Sequence, residues 1–238
     1  TRSVLATAII GGGYMLMMAV SGMFFGTFVD RHLRRTSMLL SSVISFVTFA
    51  LAGGVYALSP AAALRDLAHP AFWAFIVLIL VGAIAGNLRL VALSTTVTLL
   101  VPAEGRDRAN GLVGTANGVV FAMTSVLSGF GVGFLGMGWS LAIATALTAL
   151  VGAHLLTITI AEKAPEPHDD APRFIDLGGA IGAVRIVPGL LALLLFSTFN
   201  NFLGGVFMAL MDAYGLELVS VEAWGLLWGF ISLGFIAG

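Results

Sequence analysis

The sequence predicts an all-α protein, a polytopic bundle of helices that each cross a lipid bilayer. Its mean hydropathy is +1.04 and only 10% of its residues are charged, whereas soluble domains carry about a quarter. The few charges are clustered, and they leave four runs without Asp, Glu, Lys or Arg: 3–29, 36–64, 186–211 and the 53-residue run 109–161. About 20 helical residues cross a bilayer core of about 30 Å, so the three shorter runs hold one span each and the longest holds two.

Seven spans follow from these runs and from two further apolar stretches. We expect them at 5–29, 37–58, 72–101, 110–130, 139–161, 187–211 and 223–238. The first apolar run is too long for the core of a signal peptide, and the last one reaches Gly238 while still apolar. We therefore expect both ends to be cuts through a longer protein, with one helix upstream of the first span.

Basic residues concentrate in alternate connections between the spans. The segments 30–36, 102–109 and 162–186 together hold eight of the eleven Lys and Arg residues. By the positive-inside rule these three segments are cytoplasmic, which predicts a multi-pass protein of the inner (cell) membrane. The first span then runs from the outside to the inside.

The segment 162–186 also divides the chain into parts. It begins with the acidic, proline-rich stretch EKAPEPHDDAPR, which is typical of a solvated linker. The predicted organisation is most of one bundle with five spans at 1–161, a cytoplasmic linker with a candidate interfacial helix at 162–186, and the start of a second bundle with two spans at 187–238.

Composition and motifs exclude several kinds of chemistry. The net charge of −1 gives no reason to expect a nucleic-acid partner. The absence of cysteine excludes disulfides, thiolate metal sites and thiol catalysis, and we expect no metal and no cofactor. The glycines at 131, 133 and 136 match the dinucleotide fingerprint literally, but the motif follows no predicted strand, so the match is accidental.

The stretch GTFVDRHLRRTS, residues 26–37, packs five ionisable side chains into six positions. The glycine, aspartate and arginines of this stretch resemble the signature loop between the second and third helices of the major facilitator superfamily, with Leu33 where the family has its second glycine. The stretch LVPAEGRDRANGLVGTANG, residues 100–118, resembles the loop between the fourth and fifth helices of efflux members. FIDLGGAIGAVRIVPGLLALLLFS, residues 174–197, resembles the approach to the seventh helix. The chain thus resembles helices two to eight of twelve.

The resemblance implies a secondary transporter whose two six-helix halves rock about a central cavity. It assigns a gating loop in which the glycine permits close approach of a helix, the aspartate lies at that helix's N-terminus, and the arginines bind acidic groups. The residues carried over are Gly26, Asp30, Arg31, Arg34 and Arg35, with Glu104 and Asp107 as candidate latch partners. In the alternative interpretation, these arginines only orient the loop in the membrane.

Polar residues inside the predicted spans are candidates for the cavity, because a charge at that depth is costly unless it faces protein or water. The candidates are Arg89, Asn200, Asn201, Asn87 and His154. Hydrogen bonding between helices is the alternative role for each of them. No Asp or Glu lies inside a predicted span, so proton coupling stays open.

Small residues four positions apart predict close helix contacts, because they let backbones approach in lipid. They occur at Gly22 and Gly26, at Gly82 and Gly86, and at Gly114, Gly118 and Ala122.

The function predicted from these features is secondary active transport of a small organic molecule by alternating access, in the direction of export. The expected partners are the bilayer and a small-molecule substrate, with protons as an open candidate. A non-transporting scaffold subunit on the same fold is the alternative. A membrane-embedded enzyme is disfavoured, because the chain has no HExxH or GxSxG motif and one histidine and one arginine inside the spans are a poor catalytic set.

Overall fold

The computed structural model describes residues 4–160, 162 and 177–237, and within them the chain is helical without strands. The helices are α1 (Val4–Arg31), α2 (Arg34–Leu58), α3 (Pro70–Leu100), α4 (Arg106–Phe130), α5 (Gly136–Thr157), α6 (Leu177–Ile186), α7 (Leu190–Leu218) and α8 (Val221–Ala237). A short 3-10 turn (Ala103–Gly105) precedes α4, and a π turn (Gly131–Leu135) follows it. The all-α prediction is confirmed.

Five helical segments are long and apolar enough to cross a membrane: Ile9–Arg31, Arg34–Leu58, Pro70–Leu100, Ala103–Thr157 and Leu190–Leu218. The fourth has 55 residues and contains both α4 and α5, while α8 has 17 residues in the described part. Each of the seven predicted spans therefore coincides with a helix. The candidate interfacial helix coincides with α6, and residues 163–176 of the predicted linker lie outside the described residues.

The connection between α4 and α5 is the π turn Gly131–Leu135. The helical path continues through the π turn and breaks at Gly136, whose φ is +81°. Side chains other than glycine rarely adopt this conformation, because a Cβ atom would clash with the backbone. One glycine therefore sets the end of the π turn and the start of α5.

Helix α2 lies at the centre of the packing and contacts both α3 and α5, while α1 packs against α3. On its buried face, the Oγ of Ser41 donates to the carbonyl of Ala85 at 2.6 Å, and the Oγ of Ser45 donates to the carbonyl of Gly82 at 2.8 Å. Hydroxyl-to-carbonyl bonds of this kind hold helices together in lipid, where no hydrophobic force drives association. Helices α2 and α3 thus form one rigid pair.

Gly82 makes the closest approach within this pair. A Cβ atom there would overlap the ring of Phe49 and lie 2.6 Å from the Oγ1 of Thr48. At Gly86, by contrast, an added Cβ would meet nothing within 4 Å. Of the two predicted contact glycines on α3, only Gly82 lies in the helix interface.

Helix α4 packs against α8 through glycines of its own. A Cβ at Gly129 would lie 3.0 Å from the Cα of Gly225, and one at Gly229 would lie 2.6 Å from a side-chain carbon of Val126. Gly118 of the predicted stripe is buried, whereas a Cβ at Gly114 would meet nothing within 4 Å. Close backbone contact on α4 therefore concentrates near its C-terminal end.

We expect Gly82→Ala to lower the midpoint of thermal unfolding in detergent, because overpacking a close helix contact costs about 1–3 kcal/mol. Gly86→Ala is the matched control on the same helix and should leave the midpoint unchanged or raise it slightly, since alanine favours helix. Equal midpoints for the two variants would show that the α2–α3 interface does not depend on Gly82.

Candidate functional site

The candidate site lies where α1 ends and α2 begins, with only His32 and Leu33 between the two helices. The ring of His32 stacks on Phe28, with centroids 4.1 Å apart, and its Nδ1 donates to the Phe28 carbonyl at 2.9 Å. Leu33 has φ −58° and ψ 133°, a conformation that any residue adopts. Leucine therefore causes no backbone strain where the resembling family has glycine.

The N-terminus of α2 is capped from another part of the chain. Leu33 offers no side-chain acceptor, and Glu162 takes that role. Its Oε2 accepts the backbone N–H of Arg34 at 2.8 Å, and its Oε1 accepts that of Arg35 at 3.3 Å. A carboxylate at this position satisfies unpaired helix donors and complements the positive end of the helix dipole.

The same carboxylate also faces a guanidinium group. The Nη1 of Arg34 lies 3.8 Å from Glu162 Oε2, and the side chain of Glu162 is only 3% exposed. Arg34 and Arg35 thus bind Glu162, the first charged residue after the 53-residue apolar run, at the start of α2. The contact is enclosed by protein, so water competes with it less than with a surface ion pair.

The side chain of Arg35 binds the C-terminal end of α5. Its Nε donates to the carbonyl of Leu155 at 3.3 Å, and its Nη2 donates to the carbonyl of Leu156 at 2.8 Å. Carbonyls in the last turn of a helix have no partner within the helix, and a cation there complements the negative end of the dipole. We call the contacts of Arg34 and Arg35 with Glu162, Leu155 and Leu156 the reciprocal cap.

An apolar cluster is continuous with the reciprocal cap and ties four helices together. It contains Val29 of α1, Met38 of α2, Leu88 and Ala92 of α3, and Leu155 of α5. Val29 and Ala92 are fully buried. Because Leu155 belongs to both groups, the apolar cluster that joins α1, α2 and α3 is continuous with the contacts that Arg35 makes at the end of α5.

The predicted latch partners do not contact Arg34 or Arg35 in this structure. Glu104 lies in the 3-10 turn and Asp107 in the first turn of α4, and both are exposed. Their neighbour Arg106 instead caps α3, because its Nη2 donates to the carbonyl of Thr98 at 3.0 Å and its Nε to that of Val101 at 3.2 Å. Arg35 and Arg106 therefore both bind carbonyls at the end of a helix, a role that the sequence does not predict.

The capping role of Glu162 is not predicted by the sequence either, because Glu162 is the first residue of the predicted linker 162–186. Two signals could have found it. It is the first charged residue after the 53-residue run, and α2 begins after a leucine that cannot cap it. A buried start of a helix without its own cap needs an acceptor from elsewhere in the chain.

The three remaining residues of the predicted gating loop lie on the last two turns of α1, where Arg31 is the last residue of the helix. Asp30 is exposed, and a Cβ at Gly26 would meet no heavy atom within 4 Å among the described residues. The close helix approach predicted at Gly26, and the helix N-terminus predicted at Asp30, stay predictions.

The structure does not gather the five candidate cavity residues into one place. Arg89 is half-buried on the face of α3 toward α2, where its Nη1 lies 3.5 Å from the Oγ of Ser42. The amide of Asn201 donates to the Ser197 carbonyl of its own helix at 2.8 Å. Asn200 and His154 are exposed, and Asn87 is half-buried. Arg89 thus bonds to the neighbouring helix α2 and Asn201 to its own helix, and a shared cavity stays a prediction.

A family model described as Major Facilitator Superfamily matches residues 2–238, a range that includes the gating loop and every described helix. No curated protein and no solved structure matches the chain.

We expect Glu162→Ala to lower the midpoint of thermal unfolding, because it removes the cap from two backbone N–H groups and the partner from Arg34. Loss of an N-cap acceptor alone costs about 0.5–2 kcal/mol. Glu104→Ala is the matched control, since Glu104 is exposed at the same end of the bundle. A Glu162→Ala midpoint as high as that of the control would contradict the reciprocal cap.

Proposed function

We propose, from the premise that this chain belongs to the major facilitator superfamily of membrane transporters, that it exports a small organic molecule by alternating access. The single observation that supports the mechanism is the contact of α4 with α8 through Gly129, Gly225 and Gly229, which we call the glycine crossing. It joins the two groups of helices that the linker separates in the sequence.

The proposed moving parts are a first bundle at 1–161 and a second bundle at 187–238, joined by the linker 162–186. Within the first part, α2 packs against α3 and α5, and α1 packs against α3, whereas α4 packs mainly against α8 and α1 also contacts α7. At the crossing, a Cβ at Gly225 would lie 2.8 Å from the Ser125 carbonyl oxygen and 2.9 Å from the Cα of Gly129. Backbone lies directly on backbone at this point, while further along the same two helices the rings of Phe121 and Trp228 meet edge to face with centroids 6.3 Å apart. Such a contact permits one helix to rock on the other, as alternating access requires.

The gating loop is proposed to move with the first bundle as one body. The reciprocal cap fastens α2 to the end of α5, and the apolar cluster extends this connection to α1 and α3. Asp30 is left exposed at the end of α1, where its carboxylate is accessible to a helix N-terminus of the second bundle. Because Glu162 is also where the linker begins, tension in the linker would act directly on the start of α2.

The gating-loop end is proposed to face the cytoplasm of a cell whose inner membrane holds the protein. This orientation rests on the eight basic residues in the segments 30–36, 102–109 and 162–186. With that orientation, closure at the gating loop would seal the cytoplasmic side while the opposite side is open for release.

We expect Gly225→Ala to lower flux by roughly tenfold or more, since forcing a Cβ between two backbones costs about 1–3 kcal/mol and would bias the two bundles toward one state. Flux is measured in proteoliposomes of the complete protein, with a mixture of small organic molecules analysed by mass spectrometry. Gly234→Ala is the control on the same helix, because a Cβ there meets nothing within 4 Å. Equal flux for the two variants at equal expression would remove the crossing from the mechanism.

We expect Leu33→Cys to react with a membrane-impermeant maleimide only after the cells are permeabilised, whereas Ala61→Cys reacts in intact cells. Both positions are exposed, at opposite ends of the bundle, and the chain contains no native cysteine that would react. Labelling of Leu33→Cys in intact cells, with Ala61→Cys protected, would reverse the proposed orientation and with it the cytoplasmic gate.

A further inference from the structure

A second site lies at the end of the bundle opposite the gating loop. It is a cavity of about 480 Å³ between the end of α2, the segment 59–69 and the start of α3, with one residue each from α1 and α5. We propose that this cavity binds a small amphipathic anion, with its apolar body among aromatic rings and its acid group on Arg65. The site is separate from the gating loop and from the candidate cavity residues, and it does not depend on the proposed direction of transport.

The walls of the cavity are aromatic and fixed in position. The rings of Tyr56 and Phe75 lie 6.0 Å apart at 43°, and Phe72 is 4% exposed and meets Trp73 edge to face at 5.3 Å. Together with Ile76 these rings form an apolar surface for a flat or branched hydrocarbon group. Rigid aromatic walls bind such groups at little cost in conformational entropy.

Arg65 is the one charged residue that lines the cavity. Among the described residues, no carboxylate lies within ion-pair distance of it. The adjacent Asp66 is engaged elsewhere, since its Oδ1 accepts the N–H of Ala68 at 2.9 Å. A guanidinium group beside an apolar surface binds carboxylate, sulfonate or phosphate oxygens through two parallel hydrogen bonds. One such cation without a counter-charge favours a ligand with a single acid group.

The segment that carries Arg65 is folded onto the start of α3. The N–H of Arg65 donates to the Ala62 carbonyl at 3.1 Å, and the indole Nε1 of Trp73 donates to the Leu67 carbonyl at 2.7 Å. His69 caps α3 by accepting the N–H of Ala71 at 3.1 Å. These bonds hold the backbone of Arg65 at the rim before a ligand arrives, and such preorganisation increases affinity.

The size and polarity of the cavity limit its occupant. About 480 Å³ lies in the lower part of the range for small-molecule sites, roughly 300–1,000 Å³. A molecule with one or two rings and an acid group fits both this volume and the single cation. The same chemistry could be supplied by a free aromatic acid or by the head region of an anionic lipid.

Photo-crosslinking tests the site in the whole chain, reconstituted in phosphatidylcholine nanodiscs. The probe is benzophenone-4-carboxylate, which is ionised at neutral pH, and uncharged benzophenone is its apolar counterpart. Peptide mass spectrometry then identifies the labelled residues. We expect carboxylate-dependent adducts within 56–76, with a yield roughly tenfold lower in Arg65→Ala, since this variant loses the charge-assisted hydrogen bonds to the acid group. Arg65→Lys should keep part of the yield.

Arg108→Ala is the matched control, because Arg108 is an exposed arginine at the opposite end of the bundle, and its yield should equal that of the unmodified chain. If Arg65→Ala does not fold, as judged by circular dichroism, Arg65→Gln provides the uncharged comparison. Adducts outside the cavity, equal labelling by benzophenone, or a yield unaffected by loss of the Arg65 charge would each overturn the proposal.

Two competition arms identify the source of the anion. Protection by phosphatidylglycerol included in the nanodiscs assigns the site to an anionic lipid head, and protection by free 2-naphthoate assigns it to a soluble aromatic acid. Protection by either supports the proposed chemistry, whereas protection by neither, at saturating competitor, rejects it.

Discussion

The unpaired backbone groups at helix ends need partners, and the reciprocal cap supplies them to two helices at once. Glu162 gives two acceptors to the start of α2, and Arg35 gives two donors to the end of α5. Each side chain also brings the charge that the helix dipole favours at that end. The gating loop, the start of the linker and the apolar cluster around Leu155 are all positioned by this one junction, so the geometry of the candidate site depends on it.

Two helix interfaces in this protein use different means of association, and the difference fits different roles. Side-chain hydroxyls bond across α2 and α3 and fix their register. Among the described residues no side-chain hydrogen bond links α4 to α8, and the contact consists of Gly129, Gly225 and Gly229 together with the rings of Phe121 and Trp228. The hydrogen bonds between α2 and α3 are directional, whereas small residues let the backbones of α4 and α8 approach closely without such bonds. The hydrogen-bonded interface lies inside the proposed first bundle, and the glycine interface lies between the proposed bundles.

Hydropathy along the chain was enough to predict where every long helix lies, because bilayer thickness fixes the length of an apolar run. It was not enough to predict which faces meet. Gly82 and Gly86 share one face of α3, yet only Gly82 lies in the interface, because they are one turn apart along the helix and the closest approach to α2 falls at Gly82. The acidic partner of Arg34 is Glu162, 128 positions away in sequence, instead of an acid in the next loop. The distribution of basic residues along the sequence identifies the arginines of the candidate site, whereas their hydrogen-bond partners follow only from the fold.

The anion cavity and the gating loop lie at opposite ends of the same rigid pair of helices. Tyr56 lies near one end of α2 and Arg34 begins the other, while the serine bonds to α3 lie between them. A ligand wedged between the end of α2 and the start of α3 would therefore stiffen one body without bending it. Its effect on transport would come through contacts of that end with the second bundle, since a ligand shifts a conformational equilibrium only by binding its two states differently. Occupancy of the cavity alone therefore leaves the gate unchanged unless helices of the second bundle cover the cavity in one state.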